Sequence, residues 1–186
     1  LAAHLTAADL AAEPPVLRRL DATCTTCPCA GGAAGQTQPW PELLAAGVRT
    51  AIGIDTHTTD MVEQLKLAVI KGRDRHDLLA RLGPAAPPTV RPGIADAVHA
   101  ATRAAADGLH RPDLGRIAPG AAADLVAVDV AGLLTGAAGL RPPEPLHHLL
   151  YAGGHDVRHV LVAGSPVVRA GELAVPDDLP RLRRRA

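Results

Sequence analysis

Val48-Arg49-Thr50-Ala51-Ile52-Gly53-Ile54-Asp55 is the stretch that decides the fold. Residues 48–54 are apolar on both faces apart from Arg49 and Thr50, which is the pattern of a strand buried in a parallel sheet. A carboxylate stands at its C-terminal end, and Thr56-His57-Thr58-Thr59 then leads to Asp60. Asp60 is predicted to cap a helix running to about Lys71, with Glu63 completing a capping-box-like pair. Upstream, residues 41–46 read as a brief helix stopped by Gly47. Residues 30–38 read as a Gly/Ala/Gln loop, and 21–27 as a short strand rich in Thr and Cys. Residues 7–20 look helical but broken at Pro14-Pro15. This alternation of strand, loop and helix predicts an α/β chain with a parallel sheet or barrel.

Downstream the pattern changes. Residues 84–92 carry four prolines and read as a mobile connection. Residues 93–109 read as one Ala-rich helix with Ile94, Val98, Ala101, Ala105 and Leu109 on its buried stripe. Short strands punctuated by Gly and Pro follow, at 124–130, 157–163 and 166–169. Ala163-Gly164-Ser165-Pro166 supplies a hairpin turn. The Arg-rich run at 181–185 reads as a solvated tail.

Composition narrows the function. The 186 residues are 47% hydrophobic and 20% charged, ordinary for a globular chain. They are too few for a complete (β/α)₈ barrel, which needs about 250. Nineteen Lys+Arg balance nineteen Asp+Glu, so no net positive field recruits nucleic acid or an anionic membrane. One Trp, one Tyr and no Phe leave no base-stacking platform. No apolar stretch reaches the 18 or so residues of a membrane span. Position 1 is Leu and no signal-peptide pattern follows, so the chain reads as missing its beginning. Three Cys cannot make an even disulfide framework, so a reducing, cytoplasmic setting is expected.

Asp55 is the sharpest candidate for chemistry. A carboxylate at the C-terminal end of a parallel strand stands where βα loops converge. There it either ligates a metal and accepts a proton, or only hydrogen-bonds the loop. His57, two residues on, reads as a surface-loop histidine. Cys24, Cys27 and Cys29 form a C-x2-C-x-C cluster that reads as packing, with zinc, copper(I) or redox chemistry as the alternative. His147-His148, His155 and His159 fall among the later strands. Ser165 is the only serine and sits in the hairpin, which leaves no Ser-His-Asp arrangement.

At these residues the chain resembles the C-terminal part of a metal-dependent amidohydrolase of the aminohydrolase and chlorohydrolase type. The resemblance runs through Cys27-Pro28, then Pro41-Glu42-Leu43-Leu44-Ala45-Ala46-Gly47-Val48 and Ala51-Ile52-Gly53-Ile54-Asp55. It continues through Asp60-Met61-Val62-Glu63, Ala101-Thr102-Arg103 and Asp113-Leu114-Gly115-Arg116-Ile117-Ala118-Pro119-Gly120, to Ala123-Asp124-Leu125-Val126. It ends at Val157-Arg158-His159-Val160-Leu161-Val162-Ala163-Gly164.

The resemblance implies the last β/α units of a TIM-type (β/α)₈ barrel over residues 1–110. It implies a small β-sandwich segment over 111–175, leaving 176–186 as the Arg-rich tail. Asp55 would be the metal-ligating, proton-accepting carboxylate. Leu1-Ala2-Ala3-His4 resembles the end of the sixth strand, where a His polarises the substrate. The implied cofactor is a divalent metal, zinc with iron as the alternative. The implied reaction is attack of metal-bound hydroxide on an amidine-type carbon of a small heterocycle, with loss of ammonia or another leaving group. A homo-oligomer is implied for the full-length enzyme.

The family's first-strand His-x-His pair and fifth-strand His would precede residue 1, so the chain alone is expected to be inactive. Cys29-Ala30-Gly31 and Thr56-His57-Thr58 depart from the family's Thr-Ser-Asn and small-residue segments, so substrate identity does not carry over. The alternative is a non-catalytic remnant or a metal-binding module built on the cysteine cluster.

Overall fold

The structure, a computed structural model, describes residues 1–131 and 145–174. Three short strands, β1 (Ala2–Ala3), β2 (Thr23–Thr26) and β3 (Arg49–Ile52), form a parallel sheet in the order β1-β2-β3. The crossovers carry α1 (Glu13–Arg19) between β1 and β2, then α2 (Pro28–Ala33) and α3 (Trp40–Ala45) between β2 and β3. Parallel neighbours require such crossovers, and the helices cover the sheet.

Two expectations before β3 are corrected. Pro14 and Pro15 do not break a helix; they lie in the first turn of α1, where the missing N–H would be unbonded anyway. The predicted loop at 30–38 begins as α2. Pro28 starts the turn, and its small residues serve packing, since a Cβ on Gly31 would lie 3.1 Å from Gln38 Nε2.

α4 (Met61–Ala80) starts at Asp60 as expected and runs well beyond Lys71. The Asp60 carboxylate accepts the Glu63 amide at 3.0 Å. The reciprocal arm of the capping box is absent, because the Asp60 amide donates to Thr58 Oγ1 at 3.0 Å. The Glu63 carboxylate takes the Thr58 hydroxyl instead, at 3.3 Å.

The proline-rich connection is tied to the body of the chain. Pro92 is fully buried, Arg73 Nε donates to its carbonyl at 3.0 Å, and the Val90 amide donates to the Pro41 carbonyl at 3.0 Å.

The expected helix at 93–109 is two helices, α5 (Ile94–Ala101) and α6 (Arg103–Gly108), broken at Thr102 with φ −123° and ψ −92°. Gly115 packs on that break, where a Cβ would come 2.5 Å from the Thr102 carbonyl oxygen. The break also changes the buried stripe. Ile94, Ala97, Ala100, Ala104 and Ala106 are buried, while Leu109 is exposed.

The main core joins Trp40, Ile52, Leu65, Ala68, Val69, Ile94, Ala97 and Ala100, so α3, α4 and α5 close on one face of β3. Trp40 Nε1 donates to Thr50 Oγ1 at 3.1 Å, which satisfies the indole inside it.

The remaining strands, β4 (Leu125–Val128), β5 (Val157–Val162), β6 (Ser165–Arg169) and β7 (Glu172–Leu173), make one antiparallel sheet in chain order. The β5–β6 turn is at Ala163-Gly164 as expected, with positive φ at both residues (49° and 79°), as a two-residue hairpin demands. These strands lie in the segment read as part of a β-sandwich, and among its described residues they form this one antiparallel sheet. The run at 181–185 lies outside the described residues.

Candidate functional site

Register brings the site residues to one end of the parallel sheet. Ala3 pairs with Thr25 and Thr26 with Ile52, so all three strands finish together. The ladder continues one step further, with the His4 amide donating to the Thr25 carbonyl at 2.8 Å and the Gly53 amide to the Thr26 carbonyl at 2.9 Å. The chain then turns sharply. His4, Leu5 and Asp55 have φ of 64°, 49° and 56°, the left-handed region, which costs a non-glycine residue about 1–2 kcal/mol.

Those turns bring His4 and Asp55, two of the residues singled out in the sequence, to each other. His4 Nε2 lies 3.3 Å from Asp55 Oδ2, with the two side chains 36% and 31% exposed. Cys27 joins them: one donor atom from each of His4, Cys27 and Asp55 lies within 4.8 Å of the others. Gly53 makes room for this approach, since a Cβ there would sit 3.2 Å from Cys27 Sγ. Burial pushes the Cys27 thiol pKa up, the Asp55 charge pushes it the same way, and the Gly53 amide opposes them. The thiol is therefore held neutral.

Gln38, which the sequence did not single out, underlies the site. It is buried, and its Oε1 accepts the Cys27 amide at 2.8 Å as well as the Thr26 hydroxyl. Its Nε2 lies 2.9 Å from His4 Nδ1 and 3.4 Å from the Cys27 carbonyl. It sits in a segment read only as Gly/Ala/Gln loop, so nothing local distinguished it from Gln36.

The other candidates lie elsewhere. His57 is exposed, with Nδ1 3.0 Å from Thr56 Oγ1. The cysteine cluster does not assemble among the described residues. Cys24 lies in β2 and Cys27 one residue past its end, and the two join different groups of side chains. Cys24 packs with Leu43 and Val48, and Cys29 follows the start of α2 with its amide on Gln64 Oε1 at 3.1 Å. His148 is buried in a 3₁₀ turn (Pro145–Leu150) whose Leu149 and Leu150 pack on the main core, and His155 pairs with Asp156 at 3.3 Å. Neither belongs to a three-residue metal-binding group among the described residues. A cleft of about 440 Å³ lined by Arg18, Asp21, Arg49 and His99 opens at the opposite ends of β2 and β3.

The donor set suits a divalent cation at Asp55. The carboxylate faces a histidine through one oxygen, accepts no hydrogen bond from a described residue through the other, and has a thiol nearby. Of the three groups, the carboxylate is the one a divalent ion such as zinc accepts as it stands.

A family model described as the amidohydrolase family matches residues 2–167. The chain belongs to the amidohydrolase family. This amidohydrolase chain is 32% identical over 146 residues to a 5'-deoxyadenosine deaminase of Methanopyrus kandleri, covering 75% of the chain and 30% of that relative. It is 37% identical over 145 residues to a 5-methylthioadenosine/S-adenosylhomocysteine deaminase of Natronomonas pharaonis, again covering 75% of the chain and 30% of the relative. The amidohydrolase chain thus spans about 30% of the length of these curated relatives.

Among solved structures it superposes on a zinc-bound adenosine deaminase from Xanthomonas campestris with a TM-score of 0.78 and 27% identity, covering 98% of the chain and 40% of that structure. No helix among the described residues is long and apolar enough to cross a membrane.

Proposed function

We propose that this chain supplies the last β/α units and the appended β segment of a hydrolase that deaminates a small heterocycle at an amidine-type carbon. The observation that carries this is the convergence of His4 and Asp55, 3.3 Å apart, over the ends of parallel strands inside the family match. Asp55 would hold the divalent metal, zinc or iron. Such an ion supplies Lewis acidity and water activation near neutral pH when bound.

The chain's own residues handle protons. Hydrolytic deamination consumes water and releases ammonia, so one proton must leave the attacking water and one must reach the departing nitrogen. Asp55 is the group here able to accept and hold that proton. His4, half-exposed beside it, is placed to bond a polar atom of the substrate. Asp55 alone cannot hold an ion firmly, so on this reading the chain is inactive without further ligands, and the complete enzyme works as a cytoplasmic homo-oligomer. Reading the chain as a module built on the cysteine cluster gains no support from thiols that join different groups of side chains.

The test is Asp55→Asn in the full-length parent, assayed for ammonia release from 5'-deoxyadenosine, 5'-methylthioadenosine and S-adenosylhomocysteine. Loss of turnover with unchanged circular dichroism supports the assignment, and a fully active Asn variant overturns it.

A further inference from the structure

We propose that Gln38 is a positioning residue that fixes His4 in the tautomer with its proton on Nε2. This makes His4 a hydrogen-bond donor toward Asp55 and withholds it from a metal. The part His4 plays with substrate rests on the function proposed above, whereas the tautomer does not.

The orientation of the Gln38 amide is dictated by its neighbours. The Cys27 amide donates at 2.8 Å and the Thr26 hydroxyl reaches the same Gln38 atom, so that atom is the carbonyl oxygen. A flipped amide would set NH₂ against a backbone N–H and strand a buried donor. The NH₂ group therefore faces the Cys27 carbonyl at 3.4 Å and His4 Nδ1 at 2.9 Å. An amide NH₂ can only donate, so Nδ1 must accept. In a neutral imidazole the proton is then on Nε2, 3.3 Å from Asp55 Oδ2, which accepts it.

Every step in this relay has one polarity, from the Cys27 amide through Gln38 and His4 to Asp55. The lone pair that His4 Nε2 would need to bind a cation is occupied by that proton. Of the three donor atoms gathered within 4.8 Å, the imidazole is thus a proton donor. Gln38 is itself locked, buried against Gly31, where a Cβ would lie 3.1 Å from its Nε2.

The experiment is long-range ¹H–¹⁵N correlation NMR on the 186-residue chain without added metal, at a pH where imidazole is neutral. His4 is assigned by loss of its signals in His4→Asn. The wild type is expected to show a pyridine-like Nδ1 and a pyrrole-like Nε2, and Asp55→Ala should leave that pattern in place. Gln38→Glu replaces the donor with an acceptor of the same shape and should move Nδ1 to a pyrrole-like shift. An averaged or Nδ1-protonated wild type overturns the proposal, as does collapse to a tautomer mixture in Asp55→Ala. A pyridine-like Nδ1 persisting in Gln38→Glu overturns it as well. None of these readouts involves turnover, so an inactive Asp55→Asn parent and a wrong tautomer are separate results.

Discussion

Asp60 Oδ2 accepts the amide of Gly154 at 2.7 Å, tying the first turn of α4 to a turn 94 residues further along the chain. The same carboxylate caps α4 through the Glu63 amide, and Lys66 Nζ adds a bond to the Ala152 carbonyl at 3.1 Å. Replacing Asp60 removes a helix cap and an anchor between distant segments at once. Asp60→Ala is expected to destabilise the chain by about 1–2 kcal/mol, and Asp60→Asn by less, since its amide oxygen still accepts. Urea unfolding of the three proteins measures the difference, and equal midpoints for wild type and the Ala variant would contradict it.

The same residue gives a pH dependence. Burial alone would raise the Asp60 pKa, but the Glu63, Gly154 and Val62 amides and the Lys66 charge outweigh it, and the pKa is lowered. A carboxyl whose folded pKa lies below its unfolded value contributes stability that is fully present above the unfolded value. That contribution is lost as pH falls through the folded pKa. The stability gap between wild type and Asp60→Ala should therefore be constant from pH 7 to about 5 and shrink below about pH 4. A gap that stays constant down to pH 3 would show that the carboxylate charge plays no part.

Glu42 and Arg75 form an ion pair in which the carboxylate is 3% exposed, with Arg75 Nη2 2.5 Å from Oε1. Arg75 Nε adds contacts of 2.7 and 3.0 Å, and Nη1 donates to Thr37 Oγ1 at 2.7 Å. Such a pair gains little net stability, yet breaking it strands a buried charge. Arg75→Met should cost about 3–5 kcal/mol, and the double variant Glu42→Leu/Arg75→Met should recover most of it. A double-mutant cycle in urea reads the coupling, and strictly additive losses would refute it.

Gly72 lies inside α4, where alanine would ordinarily gain about 1 kcal/mol of helix propensity. Here a Cβ would fall 2.6 Å from Pro92 Cγ and 3.2 Å from Trp40 Cε3, both in the packed core. Overpacking of this kind costs about 1–3 kcal/mol and should win. Gly72→Ala is expected to lower the melting temperature, and a raised one would show that Pro92 yields easily.

What the sequence disclosed follows from the range of each interaction. Asp55 and the capped start of α4 were legible because strand patterning and an N-cap are local signals. His4 could be placed only by resemblance, and its meeting with Cys27 depends on the pairing of β1, β2 and β3, which no single segment encodes. Gln38 was invisible because its partners lie on two other segments. The break at Thr102 leaves no mark in the apolar stripe, and the residue packed against it, Gly115, lies beyond the helix. Beyond Lys71, the run Gly72-Arg73-Asp74-Arg75-His76-Asp77 has no apolar periodicity to advertise a helix. That stretch is held instead by Arg75 with Glu42 and by His76 Nδ1 with Thr89 Oγ1 at 2.8 Å.

The strand order has a consequence for how this centre could change over time. His4 follows β1 and Asp55 follows β3, and β2 runs between them, so their backbones stand two strand spacings apart, roughly 10 Å. The two side chains meet only by leaning across the tip of the middle strand, where the residue is Cys27. Whatever occupies position 27 is thus the floor of an arch whose piers belong to other strands. A small side chain there lets the arch close. A larger one would press the piers apart, so the volume allowed at this position is a constraint that the chemistry of His4 and Asp55 imposes on a residue outside both.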